Sequence, residues 1–318
     1  MTTDSLNLRE VTTGLAFPEG PVAMPDGSVI VVEIRKGCLT RVWPDGGKEV
    51  VATPGGGPNG AAIGPDGRCY VCNNGGFEWA DTPLGVRPVM QARDYSGGRI
   101  EAIDLDTGEV EVLYTESDGH PLKGPNDIVF DAHGGFWFSD LGKIRDRDMD
   151  RGRVLYARAD GTAIHEVCHP MVTPNGVGLS PDGSRLYVAE TEPGRLWEFD
   201  IIAPGQIRPE PWPSPHGGRF LTGVSRYRRF DSLAVEHDGN ICVATLIEGG
   251  ITVVAPDGSR ADHVPMPDMY ATNICFGGPD LRTAFVTLSA GGGLAAPDRP
   301  RAPGGLPLPP PPTHPRRP

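Results

Sequence analysis

Four side chains, far apart in the chain, carry oxygen donors in similar settings: Glu19 in FPEGP, Asn126 in GPNDI, Asn175 in TPNGV and Asp231 in FDSL. Two carboxylates and two amide oxygens, completed by water, form a hard donor set. Such a set suits Ca2+ better than the His and Cys ligands of a typical zinc site would, and Mg2+ and Mn2+ are compatible with the same oxygens. The two carboxylates would neutralise a divalent ion, and the amides would add ligands without further charge. Turns also favour Asn and Asp. A turn alone, however, would tolerate Ser or Gly, whereas Pro-Asn-Gly or Pro-Asn-Asp occurs at residues 58–60, 125–127 and 174–176.

These residues can act together only if the fold gathers them, and an internal repeat provides for that. Glu19, Asn59, Asn126, Asn175, Asp231 and Asn273 each precede a small apolar run, a Gly- or Asp-containing turn and a second apolar run, as in NGVGLSPDGSRLYVAE. The spacings of 40, 67, 49, 56 and 42 residues match one four-stranded blade per copy. Six copies predict an all-β, six-bladed β-propeller whose leading residues line one central channel. Asn59 and Asn273 would then reach a metal through water or substrate, and Asp127 would turn into its blade and orient a neighbouring backbone.

Within each copy, period-two alternation around a Pro-Asp-Gly turn reads as a hairpin. Further hairpins at 41–51, 102–114, 156–167 and 251–264 supply the outer strands. The segment from Leu6 to Leu15 has no hairpin partner of its own. A ring must hide its open edges, so this segment is expected to pair with the last blade near Ala284 to Leu288 and close the circle. Three interruptions exceed turn length: Gly75 to Gly98, Leu141 to Arg153 and Ala203 to Phe230, and they are expected to gather on one face. The propeller is placed at 1–290, and the Pro- and Arg-rich segment 291–318 reads as a disordered tail.

A formal net charge of −12 argues against a nucleic-acid or anionic-membrane partner, either of which would require a basic face. The predicted partner is a small molecule, and oligomeric state is left open. MTTDSLNLRE has no secretory pattern and no apolar run approaches a membrane span, which together predict a cytoplasmic protein. The six cysteines (38, 69, 72, 168, 242 and 275) lie in apolar alternating segments and read as core thiols. No GxSxG elbow or GxxxxGK[ST] loop is present. Around the predicted mouth, His120 and Lys123 in DGHPLKGPND and Asn73, Phe77 and Trp79 in NNGGFEWAD are candidate substrate-binding residues. Asn74, Glu78, Tyr95, His216, Arg226, Tyr227 and Arg229 could line the same face.

FPEGPVAMPDG, GPNDIVFD, TPNGVGLSPDGSRLYVAET, FDSLAVEHDGN and TNICFGGPDLRTAFVT, in this order between Phe17 and Leu288, resemble the senescence marker protein/gluconolactonase family, also called the regucalcin family. The resemblance implies a six-bladed propeller with one catalytic divalent cation, Ca2+ or Zn2+ depending on the member, and gluconolactonase-like opening of a lactone ring. It implies metal ligands at Glu19, Asn175 and Asp231, with Asn126 a ligand or a substrate-orienting residue. The cation would act as a Lewis acid toward the carbonyl while water attacks, with Asp231 as general base or water-positioning carboxylate. One departure concerns Gly124, where sugar-lactonase members carry an arginine. Lys123 could substitute, or the substrate could be less hydroxylated. Phosphotriester hydrolysis, a biosynthetic cyclase step and a non-catalytic calcium-binding scaffold are the competing readings on the same architecture.

Overall fold

The computed structural model describes residues 8–297, which form strands and turns and no helix. Each blade is an antiparallel sheet, and in the first five the four strands follow chain order from the axis outward. Blade 1 comprises Pro18–Ala23, Val29–Glu33, Cys38–Val42 and Lys48–Ala52. Blade 2 uses Pro58–Ile63, Cys69–Asn73, Arg99–Ile103 and Val110–Tyr114, and blade 3 uses Pro125–Phe130, Gly135–Asp140, Gly152–Arg158 and Ile164–Met171. Blade 4 consists of Pro174–Leu179, Arg185–Glu190, Arg195–Ala203 and Gln206–Arg208, with Arg219–Gly223 also paired to Arg195–Ala203. Blade 5 contains Arg229–Val235, Ile241–Leu246, Gly250–Val254 and Ala261–Pro265. The innermost strands touch in chain order, and that of the sixth blade, Ala271–Gly277, returns to that of the first.

The sixth blade continues through Thr283–Leu288 and Gly293–Pro297, and its outer strand is Leu8–Thr12. The N-terminal strand thus joins the sheet of the chain's last strands, but its partner is Gly293–Pro297, with Leu8 opposite Pro297, and Ala284–Leu288 lies one strand further in. The reason is that GLAAP still supplies a strand, which the Pro-rich composition around it concealed. The boundary at 290 is therefore corrected to the end of this strand. The remainder of the expected tail, 298–318, lies outside the described residues.

Alternation along the strands builds the core. Val29 and Val31 enter the apolar cluster between blades 6 and 1, while Ile30 and Val32 enter the one between blades 1 and 2. Four similar clusters fill the other junctions. Because both faces of a blade pack against neighbours, its second strand is apolar on both sides, as in the fully buried VIVVE and CYVCN. Cys69, Cys72, Cys168, Cys242 and Cys275 lie in or against these clusters, and Cys38 is buried beside Glu33 and Thr40. Burial pushes the Cys69 thiol up to about 12, as expected for an inert core group. Among the described residues no helix is long and apolar enough to cross a membrane.

Candidate active site

Each innermost strand breaks its pairing register where the repeat's leading residue sits: between Glu19 and Val22, Pro58 and Ala61, Pro125 and Ile128, Pro174 and Val177, Phe230 and Leu233, and Ala271 and Asn273. A bulge re-aims the side chain it carries. The strands approach so closely here that a Cβ on Gly20 would stand 2.5 Å from Asn59 O, one on Gly60 2.4 Å from Asn126 O, and one on Gly176 2.7 Å from Asp231 O. Crowding at the axis therefore explains why Glu or Asn is followed by Gly in these copies.

Glu19, Asn59, Asn126, Asn175, Asp231 and Asn273 are all buried, between 3 and 8% exposed. Two hydrogen-bonded pairs span neighbouring blades: Asn273 Nδ2 donates to Glu19 Oε2 at 2.7 Å, and Asn175 Nδ2 donates to Asp231 Oδ1 at 2.5 Å. Glu19 Oε2 also accepts the Gly20 amide at 2.6 Å, and Thr191 Oγ1 accepts the second Asn175 N–H at 3.1 Å. Asp127 Oδ2 accepts the Val177 amide at 3.2 Å, so it does orient a backbone, that of the next blade.

Burial dominates the acid–base state of the three carboxylates. It pushes Glu19 up to about 7. Asp127 is pushed up to about 8, first by burial and then by the charge of Glu19. Asp231 is held well above the usual carboxylate range by burial and by Glu19, against the opposing bond from Asn175. Among the described residues none of the three has a Lys, Arg or His ion-pair partner. Asn126 Oδ1 is buried with no hydrogen-bond partner. An orphaned acceptor beside three buried acids without a counter-charge is the chemistry that a bound cation would complete. Among the described residues no three His, Cys, Asp or Glu side chains converge as a metal group. What the ring offers a cation is a mixed set of carboxylate and amide oxygens, as a hard ion prefers.

The expected mouth residues divide into those near the ring and those with other tasks. In blades 2 and 3 the second strand ends beside the start of the first, with Pro58 opposite Asn73 and Pro125 opposite Asp140. The insertions Gly75–Gly98 and Leu141–Arg153 therefore leave from the ring's own face. Phe77–Thr82 and Gly85–Gln91 form a hairpin that reaches across it. The Gln91 amide donates to Ile144 O at 2.8 Å, the Val86 amide donates to Ala290 O at 3.3 Å, and Arg35 pairs with Asp81 at 3.0 Å. Trp79 meets Phe17, two residues ahead of Glu19, with centroids 5.0 Å apart. A hairpin of blade 2 thus touches blades 3, 1 and 6 and lies as a roof over that side of the ring's face.

Asn73 is corrected. Its Oδ1 accepts the Gly57 and Gly75 amides and its Nδ2 donates to Gly55 O and Glu101, so it shapes the turn and has no group left for a substrate. His120 and Lys123 are exposed and the structure does not bring their side chains to the ring. His120 lies on a separate small hairpin, and Lys123 contributes main-chain bonds to Asp140 and Tyr95. Glu78 caps the Arg93 amide. The third insertion mostly thickens the outer edge of blade 4, where His216 packs on Trp197 at 4.5 Å, away from the channel. Arg229 pairs with Glu192, Arg226 with Glu248, and Tyr227 is exposed.

Sequence reasoning missed Lys143, which is 1% exposed. Its Nζ donates to Asn74 Oδ1 at 3.1 Å and Gly76 O at 2.9 Å, and it lies 4.2 Å from the Phe77 ring centroid and 5.2 Å from that of Tyr95. Burial lowers it to about 7, against the favourable charges of Asp140 and Asp150. The preceding residue explains Gly124: a Cβ there would stand 2.4 Å from Gly142 O, so this loop occupies the room an arginine would need. The only sequence signal was a lysine in an insertion, where lysines are ordinarily solvated.

The SMP-30/gluconolactonase/LRE-like family profile matches residues 17–290. The gluconolactonase of Zymomonas mobilis is 23% identical over 313 residues, covering 90% of this chain and 80% of its own. Lactonase drp35 of Staphylococcus saprophyticus is 29% identical over 211 residues, covering 66% and 57%. In structure, the calcium-binding protein regucalcin of Agrobacterium tumefaciens superposes with a TM-score of 0.72 at 19% identity, over 95% of this chain and 98% of that one, which establishes the shared fold. By its profile match, its six blades and the order of its motifs, this chain belongs to the SMP-30/gluconolactonase/LRE-like family.

Proposed function

We propose that this chain is a divalent-cation-dependent lactone hydrolase acting at the oxygen ring of its central channel. The observation that carries the reading is the unpartnered, buried Asn126 Oδ1 beside three buried acids without a counter-cation. The relatives named gluconolactonase and lactonase support the choice of a lactone as substrate.

Glu19, Asn175 and Asp231 would hold the ion, with Asn126 as a further ligand or as the group that orients the substrate, and Ca2+ best suits these oxygens. When bound, it would supply Lewis-acid polarisation of the lactone carbonyl. Asp231 receives a proton from the attacking water, and Asn175 fixes the carboxylate's direction through its 2.5 Å bond. That proton passes to the ring oxygen as the C–O bond opens, leaving a hydroxy acid. The roof over the channel limits competing water and strengthens these electrostatic contacts.

The test is hydrolysis of γ-butyrolactone, δ-valerolactone and glucono-δ-lactone, followed by acid release with and without chelator. Turnover should vanish on chelation and return with a divalent ion, and Asp231→Asn should lose far more than tenfold, or about 1.4 kcal/mol. No hydrolysis of any lactone with any ion would remove the proposal, and a variant keeping a tenth of the wild-type rate would remove Asp231 from the mechanism.

A further inference from the structure

The hairpin that roofs the channel leaves a cavity of about 420 Å³ at its tip, between Thr82–Arg87 and the Met269–Tyr270 corner that leads into blade 6. Its wall is mostly apolar, formed by Pro83, Leu84, Val86, Met269 and Tyr270, with Thr82, Gly85 and Arg87 completing it. Leu84, at the turn of the hairpin, is 71% exposed and carries the apolar wall out to the surface.

Tyr270 joins this cavity to the ring. It meets Phe17 edge-on with centroids 5.9 Å apart, and Phe17 stands two residues ahead of Glu19 and stacks on Trp79 of the roof. Burial pushes its hydroxyl up, the charges of Arg87 and Arg229 oppose that, and the charge of Asp231 adds to it, so Tyr270 lies within electrostatic reach of a ring carboxylate. The two parts of the site therefore differ in character. The ring is a closed set of carboxylates and amides suited to a reacting carbonyl, and the adjoining cavity offers an apolar surface.

We propose that this cavity is a specificity subsite that takes an apolar, alkyl substituent carried on the ring of the lactone, and that the hairpin tip and the Met269–Tyr270 corner select such substrates over unsubstituted and polyhydroxylated ones. The proposal rests on the lactone-hydrolase reading for the placement of the reacting ring. Removal of the substituent's methylenes from water drives the selection, since most of the wall's exposed surface is apolar and little of it would reward hydroxyl groups.

The test separates the subsite from the reaction. Calorimetric binding of γ-butyrolactam and of its γ-pentyl derivative, which resist hydrolysis, reads the cavity alone. Hydrolysis of γ-butyrolactone and γ-nonalactone reads the chemistry. In the full-length protein the pentyl lactam should bind at least tenfold more tightly, with the same preference in kcat/KM. Val86→Ser, which removes apolar wall, and Val86→Trp, which fills the cavity, should each reduce the long-to-short ratio at least threefold. A ratio near one in the wild type, absent binding of the pentyl lactam, or ratios unmoved in both variants would overturn the subsite even if γ-butyrolactone is hydrolysed. A tenfold lactam preference lost in both variants without any lactone hydrolysis would uphold the subsite and remove the reaction.

Discussion

Replacing Lys143 by methionine isolates one buried charge with little change of shape. Methionine keeps an unbranched stem against Phe77 and Tyr95 and loses the two bonds to Asn74 Oδ1 and Gly76 O; both acceptors keep a main-chain donor, from Gly76 and Ala92, so the loss is about 0.5–1.5 kcal/mol each. Against that loss stands the cost of holding an ammonium in the interior. An unfolded chain keeps the Lys143 proton up to about pH 10.5, whereas the folded protein releases it near 7. Between these values the unfolded state binds more protons, so the group's contribution to stability rises with pH and is least favourable below 7. At about 1.4 kcal/mol per pH unit, the wild type should gain roughly 4 kcal/mol on Lys143→Met between pH 7 and pH 10. At pH 6 the two proteins should differ little, or the variant should be the more stable; at pH 10 the wild type should lead clearly. Urea denaturation of both proteins at pH 6, 7, 8.5 and 10 provides the assay, and other titrating groups cancel in the difference. A difference constant within about 1 kcal/mol across this range would refute a buried, charge-burdened lysine.

Glu19, pushed up to about 7 by burial, titrates with the opposite sign: the folded state keeps its proton longer, so stability falls as pH rises from about 4.5 through 7. In chelator at pH 8, Glu19→Gln should therefore be the more stable protein, by about 3 kcal/mol. Adding Ca2+ at a hundredfold excess over its Kd should raise the wild type by about 2.7 kcal/mol and the variant by little, closing the gap; a variant weaker than wild type in chelator would contradict this. Gly60→Ala places a Cβ 2.4 Å from Asn126 O and 2.6 Å from Asp127 Cα, both backbone, and should cost about 3 kcal/mol or more. Gly67→Ala, in open space with φ of +83°, should cost only about 1 kcal/mol, and equal losses in denaturation would argue against axial crowding.

Repetition made the blades legible before any coordinates. Strand alternation and Asp-Gly turns are local effects, and each copy carries them within about fifteen residues, so PDGSVIVVE and PDGSRLYVAE form the same hairpin. The ring residues were legible for the same reason, since equivalent positions of a closed repeat must face one axis. The bulges that aim them, the partnership of Glu19 with Asn273 and Asn175 with Asp231, and the orphaned Asn126 oxygen depend on neighbouring strands that no single copy contains. The same holds for the final strand partner of Leu8–Thr12 and for the fates of Asn73 and His216. Lys143 is the clearest case. Its sequence neighbours suggest a solvated loop, and residues of another blade, among them Asn74, Gly76, Phe77 and Tyr95, remove it from water, because desolvation is a property of everything packed around a charge.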